Sequence, residues 1–402
     1  MKVSLIIVVL VLGFHSKSQE WVPLGGGANN DVRDIFADTT NNRLYAVGSF
    51  QDIGGTGAHR VAYWDGSNWT SMCGVPFIMD NNPIVAVTVY NDELYVTGSH
   101  GIMEDSITGR FAHFNSGTGT WEKFTDIDGY ADIEVLDGKL FTYCCFDSIG
   151  GKDLKNIATW DGATWEPLGD TSVSNYFNTS FIKVMEKYNN NYIFAGNSQQ
   201  PKEIFEWDGI SWSELGNGIP GNSWVNCMKT YQGILYIGGS FDSPGFPKNV
   251  VAWDGQQFFD PFPDVNYVAQ VSDMEVINNE LYIVGPIEFN TPNETYGFAK
   301  FDGDTLCVFG GAGIWGTLYD IPVAYDIEEF NGDLIVRSNL AMLYDTVNYI
   351  AKWNGSGMQE CMYSPVHLGV TTIQTQSFEL YPNPSSGEVS ISLPSGTIAD
   401  EI

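Results

Sequence analysis

The chain has 402 residues, and its 49 acidic side chains against 18 basic ones leave a formal net charge of −31. Long-range repulsion on that scale excludes nucleic acid, or any polyanion met through a broad basic surface, as a partner. With 44 glycines and 14% aromatic residues, the composition suits many short strands joined by tight turns rather than helices.

The N-terminus reads as an address. Lys2 precedes an apolar run, Val3 to Phe14, followed by polar residues with small ones at Ser16 and Ser18. That is the order of a secretory signal peptide over residues 1–18, with cleavage expected between Ser18 and Gln19, and the run is too short for an ordinary membrane span. No later apolar stretch is long enough to span a membrane either, so a secreted or outer-surface protein is expected.

From residue 20 to 363 one unit repeats. Its clearest copy is Leu235 to Phe258: an apolar run closed by Gly238-Gly239, a loop, a second apolar run, then Trp253-Asp254-Gly255 and an aromatic. Equivalent markers at Trp21, Trp69, Trp121, Trp165, Trp212, Phe258, Leu306 and Met358 recur every 44 to 52 residues, the period of a propeller blade or an array. Between markers lie three strand-like runs, such as Val32–Ala37, Leu44–Phe50 and Arg60–Trp64 in the first copy and Ala131–Leu136, Leu140–Phe146 and Asn156–Trp160 in the third. Asn91-Asp92, Asp137-Gly138, Asn278-Asn279 and Asn331-Gly332 fall where hairpins need positive φ. Three runs and the marker strand make a four-stranded antiparallel sheet. Seven such sheets make an all-β, seven-bladed β-propeller, a closed ring without a long open edge. Eight markers serve seven blades, so either Glu20–Leu24 or Met358–Met362 closes the last one, and the sequence leaves both open.

The Gly-Gly step, the aromatic ending the third strand and the Trp opening the fourth resemble the kelch-type propeller repeat. Several copies depart from it: the Gly-Gly step is Val47-Gly48, Thr97-Gly98, Cys144-Cys145 and Arg337-Ser338 in copies one, two, three and seven. The recurring Asp-Gly pairs, Asp65-Gly66, Asp161-Gly162, Asp208-Gly209, Asp254-Gly255 and Asp302-Gly303, read as reversals in which the carboxylate caps its own backbone and Gly takes positive φ. Trp pairs such as Trp160 and Trp165 read as packing between blades.

Six cysteines (Cys73, Cys144, Cys145, Cys227, Cys307 and Cys361) include no Cys-x-x-Cys spacing, and their pairing cannot be chosen from sequence. Strand alternation is expected to point Cys144 and Cys145 to opposite faces, against a bond between them.

Residues 364–376 read as a linker. Beyond it, Leu380-Tyr381-Pro382-Asn383-Pro384 leads into alternating Val389, Ile391 and Leu393. This resembles the start of the type IX secretion C-terminal sorting domain, a small β-sandwich. The resemblance implies type IX secretion machinery as a partner and release or anchoring at the outer surface. It spans 377–402 only; such domains run several strands further and close on a basic residue, so a partial copy is expected.

In a four-stranded meander, second-to-third and blade-to-blade loops share one face, and nearly all loop length falls there, including Phe50–His59, His100–Gly109, Asp147–Lys155, Gly169–Ser180, Phe241–Lys248 and Gly310–Pro322. Binding usually sits on such loops. Tyr130, Tyr176, Trp224, Tyr267 and Trp315 are the candidate ligand-binding aromatics near the channel mouth, suited to a sugar face or a peptide.

Catalytic and metal signatures are sparse. His59, His100 and His113 fall at different depths of neighbouring blades, and Asp126, Asp128 and Asp132 around Gly129 form part of a Ca²⁺ loop without its closing Glu. No cofactor is called for, with Ca²⁺ the one ion the acidity would suit. The expected function is binding of a glycan, peptide or protein on the long-loop face. The alternative is a polysaccharide lyase or oxidase using Tyr or His at the channel mouth.

Overall fold

A computed structural model describes residues 21–363 except 73–82, 99–109, 170–180, 198–203, 221–222, 242–245, 264, 268–269, 289–293, 310–312, 315–323, 339–348 and 356–359. The described residues form seven four-stranded antiparallel blades. Blade 1 comprises Val32–Asp38, Arg43–Gly48, Val61–Trp64 and Trp69–Ser71; blade 2, Ile84–Tyr90, Glu93–Gly98, Phe111–Asn115 and Thr120–Thr125; blade 3, Tyr130–Leu136, Lys139–Cys145, Ile157–Trp160 and Trp165–Pro167. Blade 4 has Phe181–Tyr188, Asn191–Asn197, Ile204–Trp207 and Trp212–Glu214; blade 5, Trp224–Tyr231, Ile234–Ser240, Val250–Trp253 and Phe258–Phe259; blade 6, Asp273–Ile277, Glu280–Glu288, Glu294–Phe301 and Thr305–Phe309. Blade 7 takes Ala324–Phe330, Asp333–Ser338 and Ile350–Trp353 from the C-terminal side and Trp21–Pro23 from the N-terminal side.

That last pairing settles how the ring closes. Trp21 sits opposite Trp353, Val22 opposite Lys352 and Pro23 opposite Ala351, so the N-terminal strand completes blade 7. The other contender, Glu360–Tyr363, becomes a fifth strand on the outer edge of blade 6, where Cys361 lies opposite Cys307 and is disulfide-bonded to it.

First strands of successive blades pack on one another around the axis, blade 7 against blade 1 included, except between blades 3 and 4, where the first strand of blade 4 packs on the second strand of blade 3. The hydrophobic core is split accordingly into seven clusters, each shared by two neighbouring blades: Tyr143 of blade 3 meets Phe194 of blade 4, and Ile35 of blade 1 meets Ile335 of blade 7. Each blade therefore leaves one face to each neighbour, and the ring stands or falls as a whole.

The turn chemistry follows the residues. Asp65, Asp161, Asp208, Asp254 and Asp302 each accept the backbone N–H groups two and three residues on, at 2.7–2.9 Å, while the following Gly holds φ between 92° and 107°. These hydrogen bonds lower the pKa of Asp65, Asp161, Asp208 and Asp302. Asn91-Asp92, Asp137-Gly138, Asn278-Asn279 and Asn331-Gly332 all take positive φ, as hairpin turns require.

The Trp pairs bridge strands and blades together. Trp64 faces Trp69, Trp160 faces Trp165 and Trp207 faces Trp212 across the third and fourth strands, with ring centroids 5.3–5.6 Å apart. The Trp69 indole N–H donates to the Leu24 carbonyl, and Trp212 does the same to Leu168, each at the end of the preceding blade's outer strand. A Cβ on Gly25, Gly169 or Gly216 would sit 2.4–2.6 Å from Trp64, Trp207 or Trp253, so Leu-Gly after an outer strand makes room for the next blade's indole.

Candidate functional site

The first strands carry a β-bulge near their start in blades 1, 2, 4, 5 and 7, where the register slips by one residue. In blades 1, 4 and 5 the bulged chain comes so close to the second strand that Gly stands opposite: a Cβ at Gly48, Gly196 or Gly239 would lie 1.9–2.1 Å from the Asp31, Phe181 or Trp224 carbonyl oxygen, whereas blade 7 has Ser338 there. The second Gly of Gly238-Gly239 is thus a clearance for the bulge. Blade 3 solves the problem differently. The register puts Cys144 at that position, not Cys145 as the repeat alignment expects; the first strand pairs evenly from Tyr130 to Leu136, and Gly129, just before, makes the close approach.

Below the bulge the register aligns two polar layers around the channel. Paired with equivalent second-strand residues, Asp34, Ala86, Asp132, Val184, Cys227, Asp273 and Asp326 form the upper layer. Two residues on, Phe36, Thr88, Glu134, Glu186, Lys229, Glu275 and Glu328 form the lower one. Eight carboxylates thus face Lys229 and, from neighbouring positions, Lys183 and Arg337.

Some are tied down. Arg337 Nε bonds Asp326 Oδ2 at 3.1 Å and Lys229 Nζ bonds Glu275 Oε2 at 2.6 Å. Asp34 accepts the Val87 N–H and Asp273 the Ile327 N–H, stitching each blade to the next. Withdrawal from water pushes the others toward their neutral forms: Asp132 up to about 6, Glu134 and Asp273 up to about 8. Burial also raises Asp34 and Glu328, with Asp326 adding to both. The Asp326 charge adds to the upward shifts of Asp34, Asp132 and Asp273 in blades 1, 3 and 6.

At the long-loop end the channel opens into a cavity of about 420 Å³ lined by Val85, Tyr130, Ala131, Asp132, Cys144, Phe181, Ile182, Lys183 and Trp224. The volume suits a small ligand or a few residues of a larger one. Tyr130, Phe181 and Trp224 each open a first strand and keep about half their surface in solvent (48%, 54% and 52%). A bridge between Asn197 and Trp224 links blades 4 and 5 at this rim, and Arg110 stacks over Tyr130 at 5.8 Å while bonding the Gly129 carbonyl. Lys183 donates to Asn226, which in turn donates to the Val271 carbonyl. Three aromatic faces over an acid–base floor can stack on a planar or sugar ring and hydrogen-bond its edge.

Of the candidates from sequence, Tyr130 and Trp224 meet in this cavity. Tyr267 lies in a short strand, Asn266–Tyr267, paired to Ile287 and Glu288 of blade 6; its side chain, Tyr176 and Trp315 fall outside the described residues, as does Leu380 to Pro384. Phe181, Asp132 and Lys183 were not anticipated as ligand contacts. The three aspartates near Gly129 part company: Asp126 pairs with Lys123, Asp128 caps the Asp147 and Ser148 N–H groups, and Asp132 turns into the channel. Among the described residues no group of three metal-ligating side chains converges. His113 packs on Tyr95 and bonds Glu93, and His59 contacts Gln51, both away from the cavity.

No family model and no curated protein matches the sequence. Among solved structures the chain is similar to YCF48 bound to D1 peptide (12% identity, 83% of this chain and 96% of that one, TM-score 0.48). It is also similar to YCF48 from Cyanidioschyzon merolae (12%, 83% and 98%, TM-score 0.46) and to the computationally designed Ika8 protein (11%, 83% and 99%, TM-score 0.48).

Proposed function

We propose that this propeller is a binding protein whose ligand, a glycan or a peptide, sits in the channel mouth between blades 3, 4 and 5. One observation carries the reading: three large aromatics, buried in neither core nor blade contact, converge on one cavity over Asp132 and Lys183. Exposed rings of that size are otherwise withdrawn from water. The partly protonated acids beneath favour a ligand that brings a hydrogen-bond donor or a cation into the channel.

We read the blades as kelch-like, on the glycine clearance opposite the bulges of blades 1, 4 and 5 and the cross-strand Trp pairs. We further propose export: a signal peptide over residues 1–18 for the first membrane and the Leu380–Pro384 motif for type IX release at the outer surface. Both segments lie outside the described residues, and the support is their sequence pattern.

Parallel glycan and peptide arrays, with turnover assays on retained polysaccharides, test the binding reading. A retained ligand class that Trp224→Ala and Phe181→Ala lose without loss of thermal stability is the expected result. Turnover abolished by Tyr130→Phe would replace it with the lyase or oxidase alternative. For export, removing the segment from Phe378 onward should trap the protein short of the surface; normal delivery without it would refute the sorting assignment.

A further inference from the structure

Cys144 and Cys145 do not behave as neighbours in a regular strand. Alternation should send their side chains to opposite faces, yet their Sγ atoms lie 2.9 Å apart. Ordinary non-bonded atoms keep about 3.5–4 Å. The backbone accounts for it: Cys144 has φ 150°, a value L-residues seldom adopt, at the place where five of the other six blades carry Gly (48, 98, 196, 239 and 285). Blade 3 also forgoes the bulge that faces this position in blades 1, 2, 4, 5 and 7. Neither sulfur is sealed in the core, and Cys144 forms part of the cavity wall beside Tyr130 and Asp132.

We propose that Cys144 and Cys145 are a redox-active vicinal dithiol that closes reversibly to a disulfide in the wall of the channel-mouth cavity. Closure proceeds by exchange with an external disulfide. The Cys145 thiolate attacks one of its sulfurs, expelling a thiolate and leaving a mixed disulfide; the Cys144 thiolate then attacks Cys145 Sγ, expelling the second. Two protein thiols are oxidised, one external disulfide is reduced to two thiols, and the protons pass from the protein to the leaving thiolates. Cys145 is the attacking group because the Cys144 S–H hydrogen bond and the nearby Arg110 hold its pKa down, whereas the same contact and burial push Cys144 up. Adjacent Cα atoms are about 3.8 Å apart, shorter than the usual 4.4–6.8 Å of a bridge, which makes such a bond readily reducible. It differs from Cys307–Cys361, which joins strands 54 residues apart in sequence, in closing a ring between adjacent residues. Closure would replace two thiols by a disulfide ring, so the cavity wall beside Asp132 loses the Cys144 S–H as a hydrogen-bond donor.

The test uses the full chain equilibrated in glutathione buffers from reducing to oxidising, quenched with an alkylating agent and digested with trypsin. The peptide Leu140–Lys152 holds these two cysteines and no other. At the reducing end it should carry two alkyl groups. Toward the oxidising end it should convert to a form with none, lighter than the dithiol by two hydrogens, and Cys144→Ser should instead trap glutathione on Cys145. Full alkylation at every potential, separate glutathione adducts on both wild-type cysteines, or bonds to other cysteines would overturn the proposal.

Discussion

Replacing Lys229 by Met tests whether the channel charges act as one network. Lys229 is the lone cation of the lower layer, 2.6 Å from Glu275, with Glu186 and Glu134 also within electrostatic reach. Burial by itself would lower its pKa, but Glu275 and Glu186 outweigh that and raise it. Breaking a fully buried ion pair costs about 3–5 kcal/mol. The Lys229 and Glu275 side chains keep 27% and 29% of their surface, so a cost of about 2 kcal/mol is expected at pH 8.5. In a chain of this size that is a fall of roughly 4 °C in Tm. The pH dependence is the sharper part. Without Lys229, Glu134 and Glu186 can only be relieved by protonation, which raises their native pKa further. A raised carboxylate contributes stability that is fully present below its unfolded value of about 4.3 and is lost as pH rises through the folded value. Lys229 itself stays charged throughout that range, so the cost of Lys229→Met should shrink below about 1 kcal/mol at pH 5. Differential scanning of wild type, Lys229→Met and Lys229→Met/Glu275→Gln across pH 5–8.5 measures it, the double variant recovering part of the loss. An equal Tm loss at both ends of the range would mean that lost packing, not charge, sets the cost, and the network argument would fail.

Wild-type stability should itself be bell-shaped in pH. The raised carboxylates remove stability as pH climbs from about 4, Asp132 up to about 6 and Glu134 and Asp273 up to about 8, and Asp273→Asn should flatten that limb. The depressed turn aspartates Asp65, Asp161, Asp208 and Asp302 act oppositely: their contribution is present above about pH 3.9 and lost as pH falls through their folded values. A Tm constant from pH 5 to 8.5 would contradict this. Cys307→Ser opens a loop with a sequence separation of 54, worth about 4 kcal/mol of unfolded-chain entropy, and should lower Tm and free the outer strand Glu360–Tyr363 to hydrogen exchange. Gly239→Ala places a methyl 1.9 Å from the Trp224 carbonyl and should cost about 1–3 kcal/mol while displacing Trp224 at the rim. An unchanged Tm would show that the bulge is dispensable.

Much of the ring was legible because each blade repeats the same local devices. Asp-Gly reversals, Asn- and Gly-rich hairpins and marker aromatics locate strands from nearby residues alone, and the structure places them there. Ring closure was not legible, since Trp21 and Met362 both end strands of suitable pattern and the choice depends on which edge lies next to which terminus. Tyr130 and Trp224 could be found because they follow blade-to-blade loops. Phe181 begins a strand in the same way, but in the sequence it is overshadowed by Tyr176 in the loop before it. Asp132 and Lys183 needed the register: Lys183 is the residue that the blade 4 bulge leaves unpaired, and Asp132 sits in the first strand of blade 3, which pairs evenly from its start. A signal was present all the same: Glu134, Glu186, Lys229, Glu275 and Glu328 recur at one position of otherwise apolar strands, and ionisable groups there can only face a channel. The Cys144–Cys145 contact was opposed by strand alternation, and only the unusual φ at Cys144 reverses that expectation.

The central claim is that ligand occupies the mouth between blades 3, 4 and 5. Hydroxyl-radical footprinting of the protein with and without a ligand retained on the arrays reads that directly, because oxidation reports the exposure of individual side chains. The account predicts protection of Tyr130, Phe181 and Trp224, with Tyr325 in blade 7 and the fully exposed Ile210 on the opposite, short-turn face unchanged. Protection at Ile210 or Tyr325, with the three rim aromatics oxidised as before, would place the site elsewhere and contradict it.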